Sequence, residues 1–207
     1  MSAHAERLRL PRIARDAATP PRGDVDQNPT GIGFWALVAE DFRTFDRDLL
    51  QPGLWAVLVH RFGNWRMGIR WRPARIPASV LYKVLATGIL WFWGIQLEYT
   101  VKLGRRVRIW HHGGMIFGAR AIGDDVHLRQ NTTFGSARLD ACFAKPTIGN
   151  RVDVGCGAVV LGDVHVGDDS VIGANAVVIR DVPPHSVAAG VPARIVKTLE
   201  PGRRLQD

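Results

Sequence analysis

The sequence predicts a mainly β protein: a parallel β-helix built on a hexapeptide repeat, with an α-helical region capping its N-terminal end. Three observations carry this. First, an apolar residue, usually aliphatic, returns every six positions at Leu97, Leu103, Ile109 and Met115. The register slips by one, resumes at Ile122, Leu128 and Phe134, and after an insertion runs through Ile148, Val154, Val160, Val166, Ile172 and Val178. Second, small or branched residues stand two places earlier, as at Val152, Ala158, Val164, Ser170 and Ala176, and glycine often stands one place later. A helix repeats every 3.6 residues and a strand every 2, so neither sustains a period of six. In a β-helix each six-residue side buries one aliphatic and turns a corner. Third, the chain before Gly94 has helical spacing instead, with apolar residues three and four apart in "GFWALVAEDFRTF" and "PGLWAVLVHRFGNWRMG".

Residues 1–28 read as a flexible basic leader, because they lack the continuous apolar core of a signal peptide. Residues 29–94 form the helical region. Glu40 and Asp41 are polar interruptions of the first helix, Pro52 and Gly53 open the second, and Pro73 with Pro77 separates it from the third. The third contains "ASVLYKVLATGILWFWGIQL", Ala78 to Leu97, which has the length of a membrane span but is interrupted by Lys83, Thr87 and Gly88. The first expectation is a helix packed on its own protein. The second is interfacial attachment within Arg61–Trp93, since Arg61 to Arg75 carries five arginines and no acid beside Trp65 and Trp71.

Residues 95–182 form the solenoid. Three sides make an eighteen-residue coil, so Leu97 to Val178 winds about four to five times. The insertion at 136–146, within "GSARLDACFAKPT", becomes a loop on one face, where solenoids often carry function. Residues 183–207 form a tail that caps the far end.

The totals narrow the class. The 207 residues carry a formal net charge of +8, with 46% apolar residues and two cysteines. The apolar content supports a core. The cysteines make no disulfide framework, which points to a reducing cytoplasm. The charge admits nucleic acid, an anionic membrane or a phosphate-bearing small molecule, but the arginines cluster in the helical part without a groove-reading motif, so no nucleic-acid partner is expected.

The runs "GARAIGDDVHLRQNTTFG" and "PTIGNRVDVGCGAVVLGDVHVGDDSVIGANAVVIRDVPPHSVAAGVPARIVK", with "QPGLWAVLVHRFGNW" upstream, resemble the serine acetyltransferase family of left-handed β-helix acyltransferases. The likeness runs from Phe34 to about Lys197 and looks closer to shorter relatives found with exopolysaccharide biosynthesis. It implies a homotrimer or a dimer of trimers, with acetyl-CoA as co-substrate in the groove between neighbouring solenoids. Cytoplasmic location, with peripheral contact at the inner membrane as the second expectation, follows.

Acetyl transfer to a hydroxyl needs a base, donors for the tetrahedral oxyanion and a rigid groove. Laying "HHGGMIFG" on the family motif puts the general base at His111, with His112 as cleft wall. Adjacent side chains on an extended segment point to opposite faces, so the pair is not expected to bind a metal. The family's base is oriented by a carboxylate on the preceding coil. Gln96 stands at that position here, and Glu98, two residues on, is the substitute carboxylate. An aspartate that precedes the base in serine-specific relatives is replaced by Trp110, and a loop histidine by Lys145. An indole suits the apolar face of a sugar ring better than an ammonium. The acceptor expected is therefore a saccharide or polysaccharide precursor, with serine as the alternative. The resemblance assigns acetyl-CoA to Gly135, Cys156, Gly157 and Ala174, and its phosphates to Arg194 and Lys197. His127, His165 and His185 read as surface residues. A non-catalytic scaffold and a γ-carbonic-anhydrase-like metalloenzyme are weaker alternatives.

Overall fold

A computed structural model describes residues 23–200. Three α-helices precede the solenoid: α1 (Phe34–Thr44), α2 (Pro52–Trp65) and α3 (Arg72–Trp93). The strands after them are short and close into three sheets. The first holds β1 (Ile95–Gln96), β4 (Met115–Phe117), β7 (Thr133–Gly135), β10 (Val159–Leu161) and β13 (Val177–Val178). The second holds β2 (Lys102–Leu103), β5 (Ala121–Ile122), β8 (Thr147–Ile148) and β11 (His165–Val166). The third holds β3 (Arg108–Trp110), β6 (His127–Arg129), β9 (Asp153–Val154), β12 (Val171–Ile172), β14 (Ser186–Ala189) and β15 (Arg194–Thr198). Pairing is parallel throughout except between β14 and β15. This is the predicted parallel β-helix with its helical region.

The hexapeptide positions from Leu103 to Val178 are all buried, and so are the small residues two places ahead, such as Val152, Ala158, Ser170 and Ala176. Ile148 pairs with Val166 and Val154 with Ile172, one eighteen-residue coil apart. The first position differs. Ile95, not Leu97, is the buried residue of β1, and it pairs with Met115; Leu97 only leans on the core. The chain leaves α3 through Gly94 in left-handed conformation (φ +63°), which turns Ile95 inward two residues early.

The register slip has a location. Ile109 and Phe117 are eight residues apart, while their paired partners Leu128 and Phe134 are six apart. Two extra residues therefore enter the corner between β3 and β4. In β4 both Met115 and Phe117 point inward and Ile116 points out, so the column continues past the extra residues.

The helical region closes the starting end. A Cβ on Gly53 would lie 2.6 Å from the Ile109 carbonyl oxygen, so α2 lies directly on β3. The carbonyls of the first coil have no preceding coil to accept from, and α2 supplies donors. His60 Nε2 lies 2.9 Å from the Val101 carbonyl oxygen. Arg61 Nη1 donates to the Leu103 carbonyl at 2.9 Å and Nη2 to Gly104 at 2.6 Å. Arg61 is wholly buried and its Nε donates to Asp41 at 2.9 Å. The polar interruptions of α1 thus have work: Asp41 neutralises Arg61, and Glu40 receives Arg105 at 2.7 Å. The arginine hydrogen bonds hold the Glu40 carboxyl below its ordinary pKa.

Four expectations are revised. Gly23 to Asn28 belong to the fold, since Gln27 N–H donates to Asn64 Oδ1 at 3.1 Å, Asn28 Nδ2 to Arg61 O at 3.0 Å, and Tyr99 hydroxyl to Gly23 O at 3.2 Å; the rest of the expected leader lies outside the described residues. Pro73 and Pro77 do not separate helices. Pro73 sits in the first turn of α3, where an N–H has no partner to lose, and Pro77 lies within the helix. The tail is partly solenoid, since β14 adds a parallel strand to β12 before β15 turns back. The fourth concerns α3, which packs on its own protein along one side only: Ile89 is its single fully buried residue.

Candidate active site

The corner between the third and first sheets stacks one turn per coil. Asn131 N–H donates to Gly113 O at 3.0 Å, Gly157 N–H to Gln130 O at 2.9 Å, and Asn175 N–H to Cys156 O at 2.8 Å. His111, Cys156, Gly157 and Ala174 therefore share one edge of the solenoid. Asn131, Gly157 and Asn175 all adopt left-handed backbone there, with φ of 60°, 68° and 56°.

His111 stands at the top of this edge, in the turn that carries the two extra residues. Its φ is 63°, an uncommon conformation for a residue with a Cβ, and both His111 and His112 are exposed. The paired glycines after them, Gly113 (φ 105°) and Gly114 (φ 62°), return the chain to β4. The longer turn lifts both imidazoles off the corner that the coils below follow closely.

Gln96 is the register partner of Ile116 on the outer face of the first sheet, beside that turn. Its Nε2 donates to Glu98 Oε1 at 3.4 Å, and Thr100 hydroxyl donates to Glu98 Oε2 at 3.3 Å. Among the described residues, no hydrogen bond joins His111 to either side chain. The two candidates for orienting the base are thus partners of each other.

Trp110 departs from its expected use. The Arg108 guanidinium lies 3.9 Å from the indole ring centroid, and His127 meets the ring edge-to-face at 5.9 Å between centroids. The ring is packed along the third sheet, so one stacking surface is already taken. His127 is part of this packing and not a bare surface residue. The Trp110 Nε1–H is buried without a partner among the described residues.

A bacterial transferase hexapeptide (six repeats) model matches residues 145–180. Over 149 residues the chain is 38% identical to the serine acetyltransferase of Helicobacter pylori (strain J99 / ATCC 700824), covering 72% of this chain and 83% of that protein. The chain belongs to the serine acetyltransferase family. It is also 38% identical over 151 residues to the serine acetyltransferase of Mycobacterium tuberculosis, covering 72% of this chain but only 63% of that longer relative. Among solved structures, soybean serine acetyltransferase complexed with serine matches with a TM-score of 0.64 and 28% identity, over 79% of this chain and 69% of that one.

Other residues of this serine acetyltransferase family member fall less neatly. Gly135 ends β7 at the opposite edge of the first sheet, where its carbonyl accepts from Gly162 N–H at 2.9 Å. In the Cys156–Gly157 segment assigned to acetyl-CoA, the Gly157 N–H and the Cys156 C=O are bonded within the stacked turns. They shape the edge, and the Gly157 amide is not a free donor. Lys145 lies half-buried at the end of the insertion loop, beyond a short 3₁₀ turn at Leu139–Ala141. Arg194 pairs with Ala189 at the end of β15 nearest the His111 edge, whereas Lys197 pairs with Val187 farther along the sheet. Sequence reasoning missed Gln130, whose Oε1 is buried in the turn below His111 without a partner among the described residues. The six-residue period gives no signal for it, because that period marks the buried aliphatic of each side and not the polar side chain beside the corner.

Proposed function

We propose that the protein is an acetyl-CoA-dependent O-acetyltransferase in which His111 is the general base. The observation that carries the reading is the lengthened corner turn. It holds an exposed imidazole in a left-handed backbone conformation at the head of a rigid column of turns. The imidazole takes the acceptor's hydroxyl proton as the oxygen attacks the thioester carbon. The C–S bond breaks as the tetrahedral intermediate collapses, and the proton passes to the departing thiolate; no acyl-enzyme is needed. Glu98 holds the Gln96 amide by its N–H, which leaves the Gln96 carbonyl oxygen to accept from the imidazole and fix its tautomer. Cys156 and Ala174, on the edge below His111, line the path proposed for the pantetheine arm. We take that arm to lie between neighbouring solenoids of a trimer, as the family resemblance implies.

Serine is the acceptor that the relatives' names favour, and the capture of one Trp110 face by Arg108 weakens the sugar-stacking argument. A saccharide hydroxyl remains the second reading. Its specific support is that Trp110 stands where serine-specific relatives carry the aspartate that would receive an amino-acid ammonium. Thiol release from acetyl-CoA, measured across serine, homoserine and nucleotide sugars, decides between them. Turnover of serine at least tenfold faster than any sugar supports the first reading, and the reverse supports the second. His111→Ala should lower the rate by about 10²–10⁴-fold, the usual contribution of a general base, with an unchanged melting temperature. Wild-type turnover in that variant refutes the mechanism.

A further inference from the structure

Helix α3 is 22 residues long, and by length and composition it could cross a membrane. Its exposed face is nearly all apolar: Ile76, Val80, Leu81, Val84, Leu85 and Leu90 stand out from the protein. Aromatics mark both ends, with Trp71 70% exposed before the helix and Trp91 and Phe92 79% and 81% exposed near its last turn. Cations cluster at the first end, where Arg70 and Arg72 are exposed, and Arg75 and Lys83 line a groove with Ile76, Ser79 and Val80. No acidic residue occurs from Arg61 to Trp93.

We propose that this face of α3 docks on an anionic phospholipid bilayer and lies in its interface. Arginine and lysine attract acidic headgroups, tryptophan prefers the headgroup zone, and the aliphatic row between them enters the acyl boundary. The helix lies on the membrane and does not span it, because its other side is bound to the folded body. The Tyr82 hydroxyl accepts the Tyr99 N–H at 3.2 Å, the Arg66 guanidinium sits 4.4 Å from the Tyr82 ring centroid, and Ile89 is buried. A second copy of the chain fits the face poorly. Antiparallel pairing about the helix centre sets Lys83 against Lys83, and parallel pairing sets Arg72 and Arg75 against their copies. The docked face also ends at the candidate site. Gly94, the cap of α3, accepts the Met115 N–H at 2.9 Å, and a Cβ there would lie 3.1 Å from the Gly114 nitrogen. The turn bearing His111 therefore opens beside the bilayer surface.

The test is sedimentation of the full chain with vesicles of phosphatidylcholine alone or with about one third phosphatidylglycerol, at low and high salt. Binding is expected only to the acidic vesicles and weakens with salt. Each surface cation contributes about fivefold, so the Arg70→Gln, Arg72→Gln, Arg75→Gln triple variant should bind roughly a hundredfold more weakly. Val80→Asn with Val84→Asn should weaken binding without changing its salt dependence. Equal binding to both vesicle types, no binding to either, or a doubling of mass in solution that Val80→Asn abolishes overturns the proposal. Vesicle binding and thiol release are read separately, so docking and acetyl transfer can each fail alone.

Discussion

His60 is enclosed between α2 and the first coil, and its Nε2–H donates to the Val101 carbonyl. Burial holds its pKa down at about 3, against an ordinary 6.5. The folded protein keeps this ring neutral, while the unfolded chain takes up a proton below pH 6.5. Stability from this group is therefore fully present above about pH 6.5 and is lost as pH falls towards 3. At about 1.4 kcal/mol per pKa unit the whole interval removes about 5 kcal/mol. Urea midpoints measured from pH 7 to pH 4 should fall steeply, and His60→Gln should start lower at pH 7 but fall less. A parallel decline in both proteins would show that other groups govern acid unfolding. His111 is the opposite case, exposed in a strained turn. In the sequence both stand beside apolar residues, His60 alone and His111 next to His112. The motif match singles out His111, but nothing local marks His60, because the carbonyl it serves lies 41 residues away. Gln96→Ala should lower turnover by about 10–100-fold, the usual effect of removing a residue that orients a catalytic imidazole. Glu98→Gln should have a smaller effect. The reverse order in initial rates would make Glu98 the direct partner of His111.

At the scale of elements, the stacked turns depend on residues that tolerate left-handed backbone. Gly157 has φ of 68°, and a Cβ there would collide with Asn175 Oδ1 of the next turn. Gly157→Ala should cost about 1–2 kcal/mol and lower the melting temperature by several degrees. Adding Asn175→Ala should recover the part due to collision but not the part due to φ. Full recovery would assign the whole effect to packing. The column from Leu103 to Val178 was legible because one buried residue per side is a strict geometric demand. The start of that column was not, because the left-handed exit through Gly94 decides whether Ile95 or Leu97 turns inward. Pro73 and Pro77 read as breaks because proline ends most helices, yet the first turn of α3 has no N–H bond there for Pro73 to forfeit. Trp110 was legible as a departure from the family, but its packing partner Arg108 was not read as one.

For the molecule as a whole, the junction between helices and solenoid gathers buried polar side chains, among them Asp41, His60, Arg61 and Asn64. Arg61 joins Asp41 to the Leu103 and Gly104 carbonyls with no exposed atom. Arg61→Ala leaves a buried carboxylate and bare strand carbonyls, and should destabilise the fold by about 3–5 kcal/mol. Calorimetry checks the loss, and an unchanged melt would deny the junction its role. The variant should also aggregate more readily, since an uncovered strand edge pairs with other chains. The family reading expects three chains per particle, which light scattering tests against the chain mass of 22.8 kDa.

The order of these parts along the chain bears on how the protein is made. Arg61 precedes the carbonyl of Leu103 by 42 residues, and His60 precedes that of Val101 by 41. Both donors leave the ribosome before the strand that they receive, so the template for the first coil emerges ahead of it. Each later coil likewise leaves after its predecessor, so winding in the direction of synthesis would always meet a formed edge. A circular permutant that emerges solenoid-first would present its first coil with no template, and would have to hold an open edge until the helices arrive.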